Sequence, residues 1–236
     1  MFSHILRGGD LKSFIVSLLL TLPIILLSLS LHETAHGFIA WKLGDPTAHH
    51  LGRLTLNPIK HLNPLGFLCM MLAGFGWANP VPVNSRNFKK PRRDILLTSL
   101  AGPVSNLLLA LIFLLLLRFV GYGWLFRIGY PTQFAADMAS FFIIFLYYGI
   151  SMNVTLAIFN LIPIPPLDGS RILFSLLPPS AYFKFAKYER YVTMIFLLLL
   201  ILGPLSWVLD FCCDGIMKGL FWMVGMRPFL LFFGIV

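Results

Sequence analysis

The stretch from Ser13 to Leu43, SFIVSLLLTLPIILLSLSLHETAHGFIAWKL, decides the reading of the chain: an apolar run closes on a charged insert, His32-Glu33-Thr34-Ala35-His36. At 1.5 Å per residue a helix of this length exceeds the roughly 20 residues needed to cross a bilayer. Pro23 lies inside it and is expected to bend it, which membrane helices tolerate. Gly44-Asp45-Pro46 is expected to end it. The histidine motif then stands near the far end of the crossing. On a helix the two histidines, four residues apart, stack on one face, with Glu33 about 100° round the axis from His32. Two neutral imidazoles supply half of a tetrahedral zinc site, and a carboxylate at that angle can take a proton from a water that the metal acidifies. Chance is the competing explanation, and a chain with six histidines and two glutamates makes it a poor one.

Composition places the rest of the chain in the same solvent. Apolar residues make up 58% and charged residues 11% of 236 positions, more apolar surface than a soluble chain of this length could bury. The chain is therefore expected to be a multi-pass membrane protein. The net charge of +9 would suit nucleic acid in a soluble chain, but the basic residues gather in connecting segments, where they orient the chain and meet anionic headgroups. No nucleic-acid partner is expected. Cys69, Cys212 and Cys213 have neither the number nor the spacing for a disulfide framework or a structural zinc site. The first apolar run is longer than the core of a signal peptide and has no small-residue cleavage site, so it is expected to be retained.

Beyond the first helix the pattern changes. Gly52-Arg53-Leu54-Thr55-Leu56-Asn57-Pro58 alternates as a short strand would. Leu62 to Gly76 is apolar but too short to span, and Gly74 to Val83, rich in glycine and proline, reads as extended chain. Together these suggest a re-entrant segment that enters and leaves by one face. Irregular backbone at that depth is tolerated only where protein or a wet cavity covers it. Asn84 to Asp94 is a basic loop, and Ile95 to Phe119 a spanning helix entered through Ala101-Gly102-Pro103. Asn106 in that helix suits either an interhelical hydrogen bond or a place beside the site. Gly121 to Pro131 is an aromatic connector. Met138 to Leu161 is a further span carrying Asn153 and Asn160, and it ends in Ile162-Pro163-Ile164-Pro165-Pro166-Leu167-Asp168-Gly169. A short amphipathic stretch, a basic segment and a span from about Tyr191 to Leu209 follow. The last apolar run, Ile216 to Val236, is interrupted by Arg227-Pro228 and suits either a span or an interfacial segment. The expected fold class is all-α and polytopic, with about five to six transmembrane helices and a re-entrant or extended segment between the first and second core helices. One domain is expected over 1–236, with a core at about 13–175 and accessory helices at about 188–236.

Charge placement tests this topology. If residues 62–76 do not cross, connectors 42–94 and 170–190 share one side and hold twelve lysines and arginines, against five on the other, with Arg227 unassigned. The basic side is expected to be cytoplasmic. His32–His36 and Asp168 both fall near that face.

A catalytic zinc has three protein ligands and an open position for water. Most acidic residues lie at connectors, whereas Asp168 sits in a proline-broken apolar stretch, where a carboxylate marks a site by default. A helix cap is its alternative role. His49 and His50 belong to a polar connector and are expected to be ordinary exposed histidines. His61, ahead of the re-entrant run, is a candidate second-shell or transition-state donor.

The motifs taken together resemble the site-2 protease family of intramembrane zinc metalloproteases, peptidase family M50, in a compact form without a PDZ domain. The resemblance runs from about Ile15 to Ser175, through His32–His36, Gly44-Asp45-Pro46-Thr47, Gly52 to Pro58, Gly76 to Val83, Ala101-Gly102-Pro103 with Asn106, and Asn160 to Gly169. It implies that His32, His36 and Asp168 hold one Zn2+ and that Glu33 is the catalytic acid/base. Ser170 stands where the family often has a second glycine. His61, Asn106 and Asn160 are candidates to support the site, the oxyanion or the substrate. The implied reaction is peptide hydrolysis within the membrane, on transmembrane protein substrates whose helices unwind locally. Val81 and Val83 are candidates to clamp an unwound substrate by strand addition. The implied location is the cell membrane, with the site toward the cytoplasm. The oligomeric state is left open. An inactive homologue or a metal-binding transporter is the alternative. The intact Glu33 argues against the first, and the absence of an internal repeat against the second.

Overall fold

The computed structural model describes residues 11–73, 76, 78–120, 132–178 and 187–226, and apart from one isolated bridge the regular structure among them is helical. Three helices, Ile15–Lys42, Pro91–Val120 and Gln133–Leu161, are each long and apolar enough to cross a membrane, and the chain is an all-α membrane protein. It divides after Ser105 into two compact units.

The first unit is built on α1, Leu11–Lys42. Its hydroxyls are satisfied within the helix: Thr21, Ser28 and Ser30 donate to the carbonyls of Ser17, Ile24 and Leu26 at 2.6–2.7 Å. Such back-bonding keeps polar groups paired where no water reaches them. The helix stops at Gly44, as the sequence predicts. With φ at +108°, Gly44 donates to Trp41 and Asp45 N–H reaches back to Ala40 at 2.9 Å, closing the helix in a Schellman turn. Two short helices follow, α2 (Thr47–His50) and α3 (Pro58–His61), both packed against α1.

The strand expected over Gly52 to Pro58 does not form. Arg53 N–H donates to Ala48 O and Thr55 N–H to Arg53 O, so this backbone is satisfied by local turns and no ladder partner lies beside it among the described residues. The re-entrant expectation fares better. Helix α4, Pro64–Ala73, begins just after Leu62, and Leu62 pairs antiparallel with Ala78 while Asn79 N–H donates to His61 O at 2.7 Å. The two ends of the segment therefore lie side by side. Asn79 fastens them further, donating from Nδ2 to Leu62 O at 3.1 Å and accepting from Asn63 Nδ2 at 2.9 Å. Residues 79–83 lie outside helix and strand, whereas positions 74, 75 and 77 of the predicted extended stretch lie outside the described residues.

Helix α5, Pro91–Leu116, crosses the boundary between the units and continues as a π turn through Val120. In the second unit α6, Gln133–Leu161, is capped by the Thr132 hydroxyl and leads through a turn at 162–167 into α7, Asp168–Leu176. The aromatic connector 121–131 lies outside the described residues. The single span expected at 191–209 is two helices, α8 (Glu189–Leu202) and α9 (Pro204–Met223), broken where Gly203 takes φ +93° and Pro204 can donate no N–H to the preceding turn. Positions 227–236 of the last apolar run are likewise outside the described residues.

Asp45 is the buried charge that holds the first unit's loops together. It is fully buried and accepts from Thr47 N–H and Oγ1, from Asn84 N–H at 2.7 Å and from Asn87 Nδ2 at 2.7 Å. Burial pushes its carboxyl up, but the bonds from Thr47, Asn87 and Asn84 outweigh this and hold it below the ordinary 3.8. Its stabilising contribution is therefore complete above the unfolded value and is lost as pH falls through the lower folded value. Asp45→Ala should cost about 2 kcal/mol, since it removes the acceptor of several part-buried donors. Thermal unfolding in detergent should show this, and the wild type should lose stability below about pH 4 more steeply than Asp45→Asn.

Candidate metal centre

His32 and His36 project from the last turns of α1 and are both buried. Their rings meet edge to face, and their Nε2 atoms converge to 3.0 Å. On its other side His36 presents Nδ1 to the carbonyl of Thr98 in α5 at 2.6 Å. A carbonyl only accepts, so Nδ1 carries the ring proton and Nε2 presents a lone pair toward His32. Gly102 forms the floor of this pair. A Cβ there would lie 2.4 Å from His36 Nε2 and 2.6 Å from His32 Nε2, so the absence of a side chain is what lets α5 approach the nitrogens. Two converging imidazole nitrogens, one with its tautomer fixed by a carbonyl, fit a divalent metal.

Glu33 lies on the adjoining face, half-buried, and its Oε2 accepts from Val81 N–H at 2.7 Å. The limb 78–83 thus meets the motif at Glu33. Val81 is buried, and its Cγ1 would stand 2.9 Å from a Cβ at Gly37, so the limb packs onto α1 at that glycine. Val83, half-buried, lies further along the same limb. On the other strand of the loop Thr34 Oγ1 donates to Thr55 O at 2.7 Å and His61 Nε2 donates to the same carbonyl at 2.8 Å. His61 is buried at the root of the re-entrant segment, where the contact shown is to Thr55.

Asp168 belongs to the second unit. It is the first residue of α7, and Leu167 holds the cap position without a side-chain bond. The turn before it is tight: Ile164 N–H donates to Ile162 O, Leu167 N–H to Ile164 O, and a Cβ on Gly169 would come within 2.3 Å of the carbonyls of Leu161 and Ile162. Ser170, in place of a second glycine, is buried and accommodated, because its N–H and Oγ both donate to Leu167 O. Asn106 is fully buried in α5. Asn160 donates from Nδ2 to Leu156 O at 2.9 Å, within its own helix. His49 and His50 are exposed, and His49 stacks on Trp41.

A helical membrane protein with a paired histidine centre and an adjacent glutamate has the groups that a membrane metalloprotease requires. The profile of peptidase family M50 matches residues 20–203, and the chain belongs to that family. It is 47% identical to a Bacillus subtilis protein named "Putative zinc metalloprotease YwhC" over 78% of this chain and 81% of the relative. It is also 32% identical to "Putative zinc metalloprotease Rip2" of Mycolicibacterium smegmatis, over 79% of this chain and 71% of the relative. The Mycobacterium tuberculosis Rip2 is 34% identical over 76% of this chain and 65% of its own length. No solved structure matches the chain.

Three contributors are not evident from sequence patterns: the Thr98 carbonyl, the Gly102 floor and Arg53, which reaches the extended limb. The small-residue triplet Ala101-Gly102-Pro103 signals close approach, though not what approaches. Gly102→Ala should force the two rings apart and weaken divalent-metal binding by about 10–100-fold. Metal titration of the purified protein, with helicity by circular dichroism as a control, measures this; unchanged affinity would count against the two-histidine centre.

Proposed function

We propose that the protein is an intramembrane zinc endopeptidase of the site-2 type, hydrolysing peptide bonds in or near transmembrane segments of membrane-protein substrates. The observation that carries this reading is the buried His32–His36 pair with converging Nε2 atoms and Glu33 beside it. One zinc per chain would be held by His32, His36 and Asp168, a set of two imidazoles and one carboxylate that leaves a position for water. Asp168 is supported as the third ligand by its chemistry and by its half-buried place at the start of α7, after a proline-broken turn. When bound, zinc supplies Lewis-acid polarisation and an acidified water.

The chain's own groups do the remaining work. Glu33 takes the water proton and returns it to the leaving amine. Val81 N–H occupies Oε2 and leaves Oε1 as the oxygen that accepts. The Thr98 carbonyl keeps His36 in the tautomer that can ligate. His61 and Asn106, both buried, are assigned supporting roles around the ligands or the oxyanion. Asn160, whose Nδ2 is bonded to Leu156 O, is assigned a supporting role toward the ligands, the oxyanion or the substrate.

A substrate helix has its amides already bonded, so it must unwind before cleavage. The limb 79–83 carries no helix or strand of its own, and a substrate strand would pair with it beyond Val81, through Val83 N–H and the neighbouring carbonyls. The excess of basic residues in connectors 42–94 and 170–190 supports a cytoplasmic position for the site in the cell membrane. The chain works as one protease domain with its core at about 13–175.

Glu33→Gln should abolish cleavage of a model transmembrane substrate while zinc content, measured by atomic absorption, stays at the wild-type level; normal cleavage would overturn the mechanism. Asp168→Asn should lose most of the zinc. Val83→Pro, which removes the pairing N–H, should lower cleavage without lowering zinc, and full activity in that variant would reject the clamp.

A further inference from the structure

The peptide group between Pro80 and Val81 joins a cation to the proposed general base. Its oxygen, Pro80 O, lies 3.3 Å from Arg53 Nη2, and its N–H, on Val81, donates to Glu33 Oε2 at 2.7 Å. The same Nη2 donates to the preceding carbonyl, Asn79 O, at 2.7 Å. A peptide unit is planar and stiff, so its C=O and N–H cannot be reoriented separately. Prolines at 80 and 82 carry no N–H, which leaves Val81 as the donor between Asn79, already bonded to His61 O, and Val83. Beyond the bridge at Ala78 the limb carries no helix or strand among the described residues.

We propose that Arg53 is a positioning residue of the peptidase reaction: its guanidinium holds the Asn79 and Pro80 carbonyls and thereby aims the Val81 N–H that orients the Glu33 carboxylate. This inference rests on Glu33 being the general base. Arg53 is itself well anchored. It follows Gly52, whose φ of +61° makes the turn, and its N–H donates to Ala48 O at 2.9 Å. A cation on the carbonyl end of a peptide also polarises its N–H, strengthening the bond to the carboxylate at the far end. Both contacts come from the one nitrogen Nη2, so a lysine ammonium can supply the charge and the donors, though on a more flexible stem than the planar guanidinium.

The experiment uses the full chain in bicelles, with Arg53→Ala, Arg53→Lys and Glu33→Gln compared on a model transmembrane substrate. Arg53→Ala should lower kcat by about 10–100-fold, the usual effect of losing a group that orients a catalytic side chain. KM should change by less than about threefold, because substrate binding is not what is lost. Zinc content should be unchanged, and Arg53→Lys should recover part of kcat. A second readout needs neither metal nor turnover. In zinc-free protein labelled with 15N-valine, the Val81 amide is the resonance missing from Val81→Ile; Glu33→Gln should move it upfield, and so should Arg53→Ala. Should Arg53→Ala not fold, Arg53→Lys must show a smaller shift in the same direction together with a reduced kcat. A Val81 resonance unmoved by the Arg53 variants, unchanged kcat, or a loss of zinc in parallel with activity would overturn the proposal. Normal cleavage by Glu33→Gln would instead reject the general base itself, which separates the two failures.

Discussion

The hydrogen bond from His36 Nδ1 to the Thr98 carbonyl is the constraint on which the site depends. It joins the motif helix to α5 at one atom pair, fixes the tautomer of His36 and turns its Nε2 toward His32. Without it a histidine on an apolar helix face would choose its own rotamer, and the two nitrogens would have no reason to sit 3.0 Å apart. The approach it requires is close, and Gly102, one turn after Thr98, makes room for it. One hydrogen bond and one missing methyl group therefore set the spacing of the pair.

The rest of the first unit serves the same end by satisfying backbone that a membrane would otherwise punish. An unpaired amide in hydrocarbon costs several kcal/mol, so a loop that dips and returns needs a partner for each polar group. Here the partners are mostly side chains. Asn79 and Asn63 close the root of the loop, and Thr34 and His61 share the carbonyl of Thr55. Arg53 takes the carbonyls of residues 79 and 80. A hairpin ladder would have used these groups up between its own strands. Side-chain pairing leaves the limb free of helix and strand, meeting the motif helix at Glu33 and Gly37.

Much of this was legible in the sequence where a signal is local. Ser13 to Leu43 reads as a helix because its apolar run is unbroken, and Gly44 ends it because a left-handed turn favours glycine. The return of the chain after Leu62 was visible in an apolar run too short to cross. What failed also has a physical cause. Gly52 to Pro58 alternates like a strand, but alternation says nothing of whether a partner strand exists, and local turns with the Thr34 and His61 contacts satisfied this one instead. The run 191–209 looks continuous by hydropathy, yet Gly203-Pro204 splits it, because a window average hides two adjacent breakers. Asp45 and Arg53 resembled ordinary connector charges. Apart from Thr47, which bonds Asp45 locally, the partners of the Asp45 carboxylate and the Arg53 guanidinium stand 26 to 42 positions away, and no local pattern encodes that.

The pairing of Glu33 with a backbone amide, when a cation is so near, bears on how such a centre can work. A lysine or arginine in direct contact with the carboxylate would orient it well, but would compete with the proton that Glu33 would accept as the proposed general base. A neutral N–H orients without that competition. Placing Arg53 at the far end of the same peptide keeps the benefit of the charge, which strengthens and aims the N–H, while the peptide plane separates cation from carboxylate. The flanking prolines then follow as a requirement of the arrangement. They remove the competing donors on either side and stiffen the limb, so that one amide, held from behind, faces one oxygen.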